Sequence, residues 1–214
     1  MARKSAKASK LSKPAKELVL EIKPLTPRLM DDFGEVLRGS WGSGCWCMYP
    51  RLTRATAAEL PRPGSESDRR RTAMTRLARR RRAPGLLAYQ GDQAVGWVAI
   101  APRPELLRTE SSRTTPRVDD EEVWVIPCIT VRPTVRGQGV AVALVQAAVA
   151  YAAERGAPAV EAYPRAGNAR TNDDNAFFGT EPLFRRAGFR VIREPLENIP
   201  KNWTPRVTMR VTID

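Results

Sequence analysis

The chain has 214 residues, of which 42% are hydrophobic and 28% are charged, so it is long enough for one sizeable buried core and short for two. It contains no histidine, which excludes Ser-His and Cys-His catalysis and imidazole-ligated metal sites. Its three cysteines are too few for a disulfide framework, and no stretch approaches the roughly 18 consecutive apolar residues of a membrane span. We therefore expect one domain in a cytoplasmic protein with reduced thiols and no bound metal.

The net charge of +13 is concentrated in two segments. Residues 1–17 carry +5 on regularly spaced lysines among Ser, Ala and Pro, a composition that predicts a disordered basic arm. Residues 51–82 carry +8. Within them, Ser67-Asp68 is a helix-start pattern, and the run from Arg69 to Arg82 that follows has one narrow apolar stripe, which predicts an amphipathic helix with a cationic outer face. Residues 18–214 are expected to form a single folded domain that includes this helix.

The folded part of the chain reads as alternating strands and helices. Apolar runs bounded by Gly or Pro indicate strands, and an apolar period of 3.6 residues indicates helices. Strands are predicted at 18–25, 85–89, 94–100, 122–131, 159–163, 189–192 and 207–213, and helices at 28–37, 69–82, 140–153 and 181–187. Gly91-Asp92 is typical of a tight hairpin. The helix at 140–153 joins two strands as a βαβ unit, so those strands should be parallel.

The most informative segment is a glycine-containing loop between the strand at 122–131 and the helix at 140–153. Its residues are Arg136, Gly137, Gln138 and Gly139. Glycines let a backbone approach a ligand closely, and the free N–H groups at the start of a helix favour a phosphate. The loop lacks both the Gly-Lys-Ser/Thr of a Walker motif and the Gly-x-Gly-x-x-Gly of a dinucleotide fingerprint. It is therefore either an anion-binding loop or only a tight turn that joins the strand to the helix.

The same loop resembles a known family signature. Arg136, Gly139 and Ala141 fit the Arg/Gln-x-x-Gly-x-Gly/Ala pattern of the GNAT superfamily of N-acetyltransferases, which depend on acetyl-coenzyme A (acetyl-CoA). The longer form of the motif, Val-x-Pro-x-x-Arg-Gly-x-Gly, begins at Val131. The order and spacing of the predicted elements agree with that family over residues 18–213. The resemblance implies an α/β fold with a mixed, mostly antiparallel sheet, a splayed parallel strand pair and flanking helices.

The resemblance also implies how a cosubstrate would be held. The strand that ends at Val131 would bulge and splay from its parallel neighbour, so that its main-chain groups bind the pantetheine amides. The loop amides would bind the pyrophosphate, and Arg136 would add charge unless it is only an exposed surface arginine. A main-chain N–H of Cys128 or Ile129 would stabilise the reaction's oxyanion. The implied cofactor-binding residues are Ile129, Val131, Arg136, Gly137, Gln138, Gly139, Val140 and Ala141.

The acceptor side of the reaction is less defined by the sequence. Residues 45–49, Cys-Trp-Cys-Met-Tyr, are similar to a group of bacterial GNAT proteins without an assigned substrate. Trp41, Trp46 and Tyr49 lie between the first two helices, where the resemblance places the acceptor wall, but they could equally anchor the core. Cys128 could be a covalent acyl carrier or only a small buried hydrophobe. The resemblance therefore implies the cosubstrate and leaves the acceptor open.

The catalytic positions depart from the family pattern. Phe184 occupies the place of the tyrosine that protonates the leaving thiolate in many GNAT enzymes, and Val125 that of the glutamate base of histone-type relatives. An alkylamine with a pKa of about 10 must lose a proton before it attacks. Glu161 and Tyr163 are two residues apart on a predicted strand and point to the same side, so they are the predicted base and acid. Alternatively, they face outward or make an internal hydrogen bond.

These patterns together predict an N-acetyltransferase. It would pass the acetyl group of acetyl-CoA directly, in a ternary complex, to a primary amine of a small molecule or peptide. The alternative is a nucleic-acid-binding module that uses the basic arm and the helix from Arg69 to Arg82 on a degenerate acetyltransferase domain, although neither segment holds a stacking aromatic. We expect a monomer or homodimer that does not bind membranes.

Overall fold

The computed structural model describes residues 19–40, 42–60, 62–167, 177–199 and 204–213. The strands are β1 (Glu21–Pro24), β2 (Gly85–Gln90), β3 (Gln93–Ala99), β4 (Ala101–Pro102), β5 (Trp124–Ile126), β6 (Ile129–Val131), β7 (Ala159–Ala162), β8 (Arg190–Arg193) and β9 (Thr208–Thr212). The helices are α1 (Met30–Leu37), α2 (Gly42–Cys45), α3 (Arg54–Ala58), α4 (Glu66–Ala78), α5 (Leu107–Glu110), α6 (Val140–Ala153) and α7 (Glu181–Arg186). The predicted basic arm at 1–17 lies outside the described residues. None of the described helices has the length and apolar character needed to span a bilayer.

Two sheets form the centre of the domain. One has the order β1-β2-β3-β6 and is antiparallel throughout, and the other has the order β4-β5-β7-β9-β8. The second sheet contains one parallel pair, β5 and β7, which α6 connects. This confirms the predicted βαβ unit and the predicted mixed, mostly antiparallel α/β architecture.

The prediction of one strand over 122–131 is wrong, and the difference creates the cleft of this protein. The run divides at Pro127 and Cys128 into β5 and β6, which belong to different sheets. Proline has no N–H to donate to a strand ladder, so a break at Pro127 removes little pairing. After the break the chain leaves its partner β7 and pairs instead with β3, with Thr130 opposite Trp97. The two halves of the run therefore splay apart.

Helices cover both faces of the first sheet. The apolar helix α6 packs on one face, where Leu144 and Ala148 are completely buried. On the other face α1 and α4 cover the sheet, with Phe33 of α1 in contact with Trp97 at a ring separation of 4.2 Å. The apolar faces of these helices thus pack on both sides of the first sheet and form a core on each side.

The boundaries of the basic helix differ from the prediction of 69–82. α4 begins after Ser65, because Ser65 and Asp68 bond to each other's main-chain N–H groups in a capping box. The helix ends at Ala78, so the arginines at 79–82 follow it in a turn. Its cationic face is partly neutralised within the domain, since Arg71 pairs with Asp31 at 2.6 Å.

Candidate active site

The start of α6 is preceded by a loop with two left-handed glycines. Gly137 and Gly139 have φ angles of 80° and 88°, a region that residues with a side chain rarely adopt. A Cβ at either position would meet no described atom within 4 Å beyond its chain neighbours. No described side chain caps the helix at Gly139. The first-turn N–H groups of a 14-residue helix therefore face open space, an arrangement that binds anions.

Polar side chains flank this loop. Arg136 is exposed, and its Nε donates to the carbonyl of Val131 at 3.4 Å, so it lies between the strand end and the loop. The Gln138 amide donates to the Thr134 carbonyl at 3.4 Å, within the loop itself. The predicted arginine is thus close to the predicted anion site.

One edge of β6 faces away from its sheet. The ladder to β3 uses alternate residues, with the Ala99 N–H donating to the Cys128 carbonyl and the Arg132 N–H to the Val95 carbonyl, both at 2.9 Å. The main-chain groups of alternate residues in a strand point to opposite edges. Those of Ile129 and Val131 therefore point away from β3, into the gap between β6 and the second sheet. These are the strand positions that the sequence predicted to bind a ligand.

A cleft of about 360 Å³ runs along this edge. It is lined by four of the predicted cofactor-binding residues, Ile129, Val131, Arg136 and Ala141. Phe177 and Leu183 form part of the wall beyond β6. The structure therefore brings the strand edge, the loop and the helix start together in one cleft.

Of the two predicted oxyanion donors, the Ile129 N–H is engaged in a main-chain contact. The Ile129 N–H donates to the Phe177 carbonyl at 2.7 Å. Cys128 faces β3, where its carbonyl accepts from the Ala99 N–H. An oxyanion at Ile129 would therefore have to replace the Phe177 carbonyl as acceptor of this hydrogen bond.

The predicted acid-base pair meets in a buried network. The Tyr163 hydroxyl donates to Oε2 of Glu161 at 2.5 Å. Arg103 donates to the same hydroxyl, and its Nη1 lies 3.7 Å from that carboxylate oxygen. Arg210 donates to the other oxygen, Oε1, at 2.6 and 3.0 Å. Both oxygens of Glu161, which is 1% exposed, are thus engaged by neighbouring side chains.

This network reaches the protein surface through two further acids. Arg103 donates to Glu110 at 2.7 Å, and Arg210 makes two hydrogen bonds to Asp119 at 2.7 and 2.8 Å. The hydrogen bonds from Arg210 lower the pKa of Asp119. Burial, together with the charge of Glu161, raises the pKa of Tyr163 well above its ordinary value, so this hydroxyl stays protonated at neutral pH.

The two members of the pair differ in their access to a ligand. Tyr163 lines a small pocket on the far side of Phe177 from the cleft, whereas Glu161 lines neither of these two cavities in the described part of the chain. The roles of base and acid stay a prediction. The contacts favour Tyr163 as the member that reaches a ligand and Glu161 as its positioning partner.

Comparison with protein families decides which group of proteins this cleft belongs to. The model of the acetyltransferase (GNAT) family matches residues 49–179, which is more than half of the chain. The chain belongs to the GNAT family of acetyltransferases. The matched segment contains β6, the glycine loop and α6, so the sequence signature and the cleft coincide.

Solved structures with the same fold include other GNAT proteins. The chain is similar to the protein yncA of Salmonella typhimurium, solved with its cofactor acetyl-CoA, with 14% identity and a TM-score of 0.54 over 91% of this chain and 94% of that one. It is also similar to a GNAT acetyltransferase of Streptococcus pneumoniae, with 13% identity, a TM-score of 0.53 and coverage of 92% and 100%. NAA60 of Arabidopsis thaliana, in complex with acetyl-CoA, has 16% identity, a TM-score of 0.51 and coverage of 91% and 100%. A comparison with curated protein sequences finds no match.

The position that carries a tyrosine in many GNAT enzymes is a core residue here. Phe184 is completely buried, and its ring packs edge-on against Phe189 at 5.1 Å. It therefore cannot offer a proton to a ligand.

The predicted acceptor aromatics separate in the structure. Trp41 lies outside the described residues. Trp46 packs edge-on against Phe33 at 5.7 Å and donates to the Ser67 hydroxyl at 2.9 Å, which anchors it between α1 and α4. Tyr49 is 39% exposed and lines the small pocket with Tyr163. Of the three, only Tyr49 is placed by the described contacts at a cavity beside the cleft.

All three cysteines are free, buried and part of the cleft wall. The Trp97 indole donates to Sγ of Cys47 at 3.0 Å. A hydrogen bond from Cys128, supported by that of Trp97, lowers the pKa of Cys47, whereas burial raises that of Cys45 to about 11. Cys47 also has a φ of 51°, which is strained for a residue with a side chain. The described residues contain no group of Cys, Asp and Glu side chains arranged to hold a metal ion.

Sequence reasoning missed Arg103, Arg210 and Phe177 as parts of this region. Arg210 and Asp119 are 91 positions apart, and Arg103 and Tyr163 are 60 apart, so no local pattern connects them. One signal was present, because Arg103 directly follows the apolar run at 94–102, and an arginine buried with that run requires an anionic or hydroxyl partner.

Proposed function

We propose that this protein transfers the acetyl group of acetyl-CoA to a primary amine of a small molecule or peptide, directly and in a ternary complex. The observation that carries the proposal is the joint placement of the uncapped start of α6 and the outward edge of β6 in one cleft. An elongated ligand with a phosphate at one end and amide groups along its length requires such a combination. Two structures of the same fold, those of yncA and NAA60, hold acetyl-CoA.

The residues present fit this cosubstrate. The open space beside Gly137 and Gly139 allows a pyrophosphate to approach the amides of Gly137 to Ala141. Arg136 would add a positive charge at the same end. Along β6 the Ile129 carbonyl and the Val131 N–H, which are not the groups bonded to Phe177 and Arg136, would pair with the pantetheine amides, as a neighbouring strand would. This ligand would place its thioester near the break at Pro127, where β5 and β6 separate.

The acceptor would enter from the opposite side of the break. Phe177 lines both the cleft and the small pocket that contains Tyr49 and Tyr163, so the two cavities are neighbours. An amine in that pocket would attack the thioester carbon, and the coenzyme A (CoA) thiolate would leave into the cleft. In this scheme Tyr163 keeps its proton at neutral pH and is the acid, while Glu161 positions it. The amine would lose its own proton to water at the pocket mouth.

The test is a screen for acceptor-dependent release of the CoA thiol. Acetyl-CoA would be incubated with the protein and with polyamines, aminoglycosides, amino acids, arylamines or peptides with a free Lys or N-terminus. We expect at least one class to release thiol and to give a product heavier by one acetyl group. Tight binding of acetyl-CoA with no release in any class would overturn the proposal and indicate a protein that only senses the cosubstrate.

A further inference from the structure

The pocket beside the cleft has an unusual chemical character. It is small, about 100 Å³, so it admits the end of a small molecule or peptide and not a large surface. Its walls are aromatic and cationic, formed by Tyr49, Tyr163, Phe177, Phe178, Arg108 and Arg206. No Asp or Glu of the described chain lines it. The described lining of the pocket therefore carries a net positive charge.

Arg108 is fixed in place without being neutralised. Its Nε donates to the carbonyls of Tyr49 and Leu52, each at 3.1 Å, and its guanidinium lies 4.2 Å from the centre of the Tyr49 ring. In the described ranges these contacts involve carbonyl oxygens and an aromatic face, and none involves a carboxylate. Hydrogen bonds through Nε leave the two terminal nitrogens of the fork for another acceptor.

Arg206 is the second cation. Its guanidinium lies 3.2 Å from the centre of the Phe178 ring and is partly buried. Burial lowers its pKa to about 10, and the nearby Tyr49 offsets this only in part. Among the described residues, Arg206 forms no ion pair with an acid. A desolvated guanidinium is stabilised by a carboxylate that binds both of its N–H groups.

In the described part of the chain, the two acids bonded to the network around Tyr163, Glu161 and Glu110, are already ion-paired. Glu161 and Glu110 are bonded to Arg103, and Glu161 also to Arg210. Their negative charges are therefore neutralised by Arg103 and Arg210 within the buried network. A cationic acceptor such as a polyamine would meet two like charges in the pocket and no acid among the described lining residues, which disfavours its binding.

We propose that the acceptor is a primary amine that also carries a carboxylate, and that Arg108 and Arg206 bind this carboxylate. This inference rests on the proposed acetyl transfer and narrows its acceptor class. The ring faces of Tyr49 and Phe178 would pack on the carbon chain that joins the carboxylate to the amine. The amine end would then point toward the break between β5 and β6, because Ile126 and Pro127 form that side of the pocket.

The experiment uses pairs of amines that differ only in the charge of one group. The probes are 4-(aminomethyl)benzoate with 4-(aminomethyl)benzamide, and 6-aminohexanoate with 6-aminohexanamide. We expect kcat/KM for the carboxylate member to exceed that for its amide by about tenfold or more in at least one pair, as a charge-assisted hydrogen bond implies. Equal rates for both members of each pair, or a preference for spermidine over every carboxylate, would overturn the inference while leaving acetyl transfer intact.

Arginine variants connect the preference to the pocket. Arg206→Gln and Arg108→Gln should each bring the carboxylate-to-amide ratio close to one without changing the affinity for CoA, and Arg206→Lys should restore part of it. Arg108→Gln also removes hydrogen bonds to two carbonyls, so Arg206→Gln decides the question if the former is unstable. An unchanged ratio in Arg206→Gln would contradict the assignment.

A binding measurement separates this inference from the proposed function. Calorimetric titration of the CoA-loaded protein with 4-(aminomethyl)benzoate and its amide requires no turnover. Tighter binding of the carboxylate would uphold the pocket even if the thiol-release screen finds no acceptor, and that result of the screen would overturn acetyl transfer. Acetylation of both probes together with equal affinities for them would support acetyl transfer and overturn the carboxylate-binding pocket.

Discussion

Arg210 donates two hydrogen bonds to a single oxygen of the Glu161 carboxylate, at 2.6 and 3.0 Å, and Glu161 is almost fully shielded from solvent. The same guanidinium binds Asp119 at the surface through two more hydrogen bonds. A carboxylate held in this way is part of an ion-pair network that positions Tyr163. An amine could therefore transfer a proton directly to Glu161 only if one of these hydrogen bonds to the carboxylate first broke.

Replacing Glu161 with Gln tests this relationship. We expect Glu161→Gln to lower the free energy of unfolding by about 3 kcal/mol, because it removes the buried anion that faces two arginines. Activity should fall through loss of Tyr163 positioning, while the shape of the pH-rate profile stays the same. Asp119→Asn, which removes the charge of the outer partner of Arg210, is the matched control. It should cause smaller losses of both stability and activity. A drop of about 10²-fold with loss of the acidic limb would show instead that Glu161 is the base.

Tyr163 should leave a signature in the pH dependence of stability. Its pKa is raised in the folded state by burial and by Glu161, so the folded protein favours the neutral phenol. A raised pKa contributes stability that is complete below the unfolded value of about 10 and is lost as the pH rises above it. Urea unfolding of the parent and of Tyr163→Phe should therefore differ by a constant amount between pH 7 and 9, and the parent's relative stability should decline above pH 10. A constant difference up to pH 11 would argue against a buried phenol.

The cysteines should differ in their reaction with iodoacetamide. The hydrogen bonds from Cys128 and Trp97 lower the pKa of Cys47, whereas burial raises that of Cys45, so Cys47 should be alkylated first. Because all three thiols line the cleft, CoA should slow the reaction. Peptide mass spectrometry over a time course measures both effects. Faster alkylation of Cys45, or rates that CoA leaves unchanged, would contradict this account of the cleft wall.

Removal of residues 1–17 should leave the domain intact. A lysine-rich segment whose only large apolar side chains are Met1 and Leu11 has little surface with which to pack, so the melting temperature and the affinity for acetyl-CoA should both stay within error of the parent values. Thermal melting and calorimetry of the truncated chain check this. A fall of several degrees in Tm would mean that the segment packs on the domain.

The helix α6 could be predicted to the residue, because glycines at 139 and 156 bound an alanine-rich run that contains no Gly or Pro. The break between β5 and β6 could have been found in the same way. Pro127 lies in the middle of the apolar run and marks the point at which the strand pairing changes. Likewise, Ser65 with Asp68 is a capping-box pattern that gives the true start of α4, one turn before the basic cluster.

The buried ion network could not be predicted in the same way. The alternation of β7 correctly placed Glu161 and Tyr163 on one face, but their partners Arg103 and Arg210 come from distant parts of the chain. Periodicity shows which residues share a face and not which element covers that face. The sequence therefore indicated that the pair could bond internally, and only the fold shows which cations surround it.

The central claim is that the start of α6 holds the pyrophosphate of acetyl-CoA, and calorimetric titration of Arg136→Glu with acetyl-CoA tests it most directly. Arg136 is exposed beside the loop, so charge reversal should weaken the affinity about 10- to 100-fold without lowering Tm. Arg28→Glu is the matched control, since Arg28 is exposed and does not line the cleft, and it should bind like the parent. Equal affinities of the parent and of both variants would contradict the placement of acetyl-CoA at this loop.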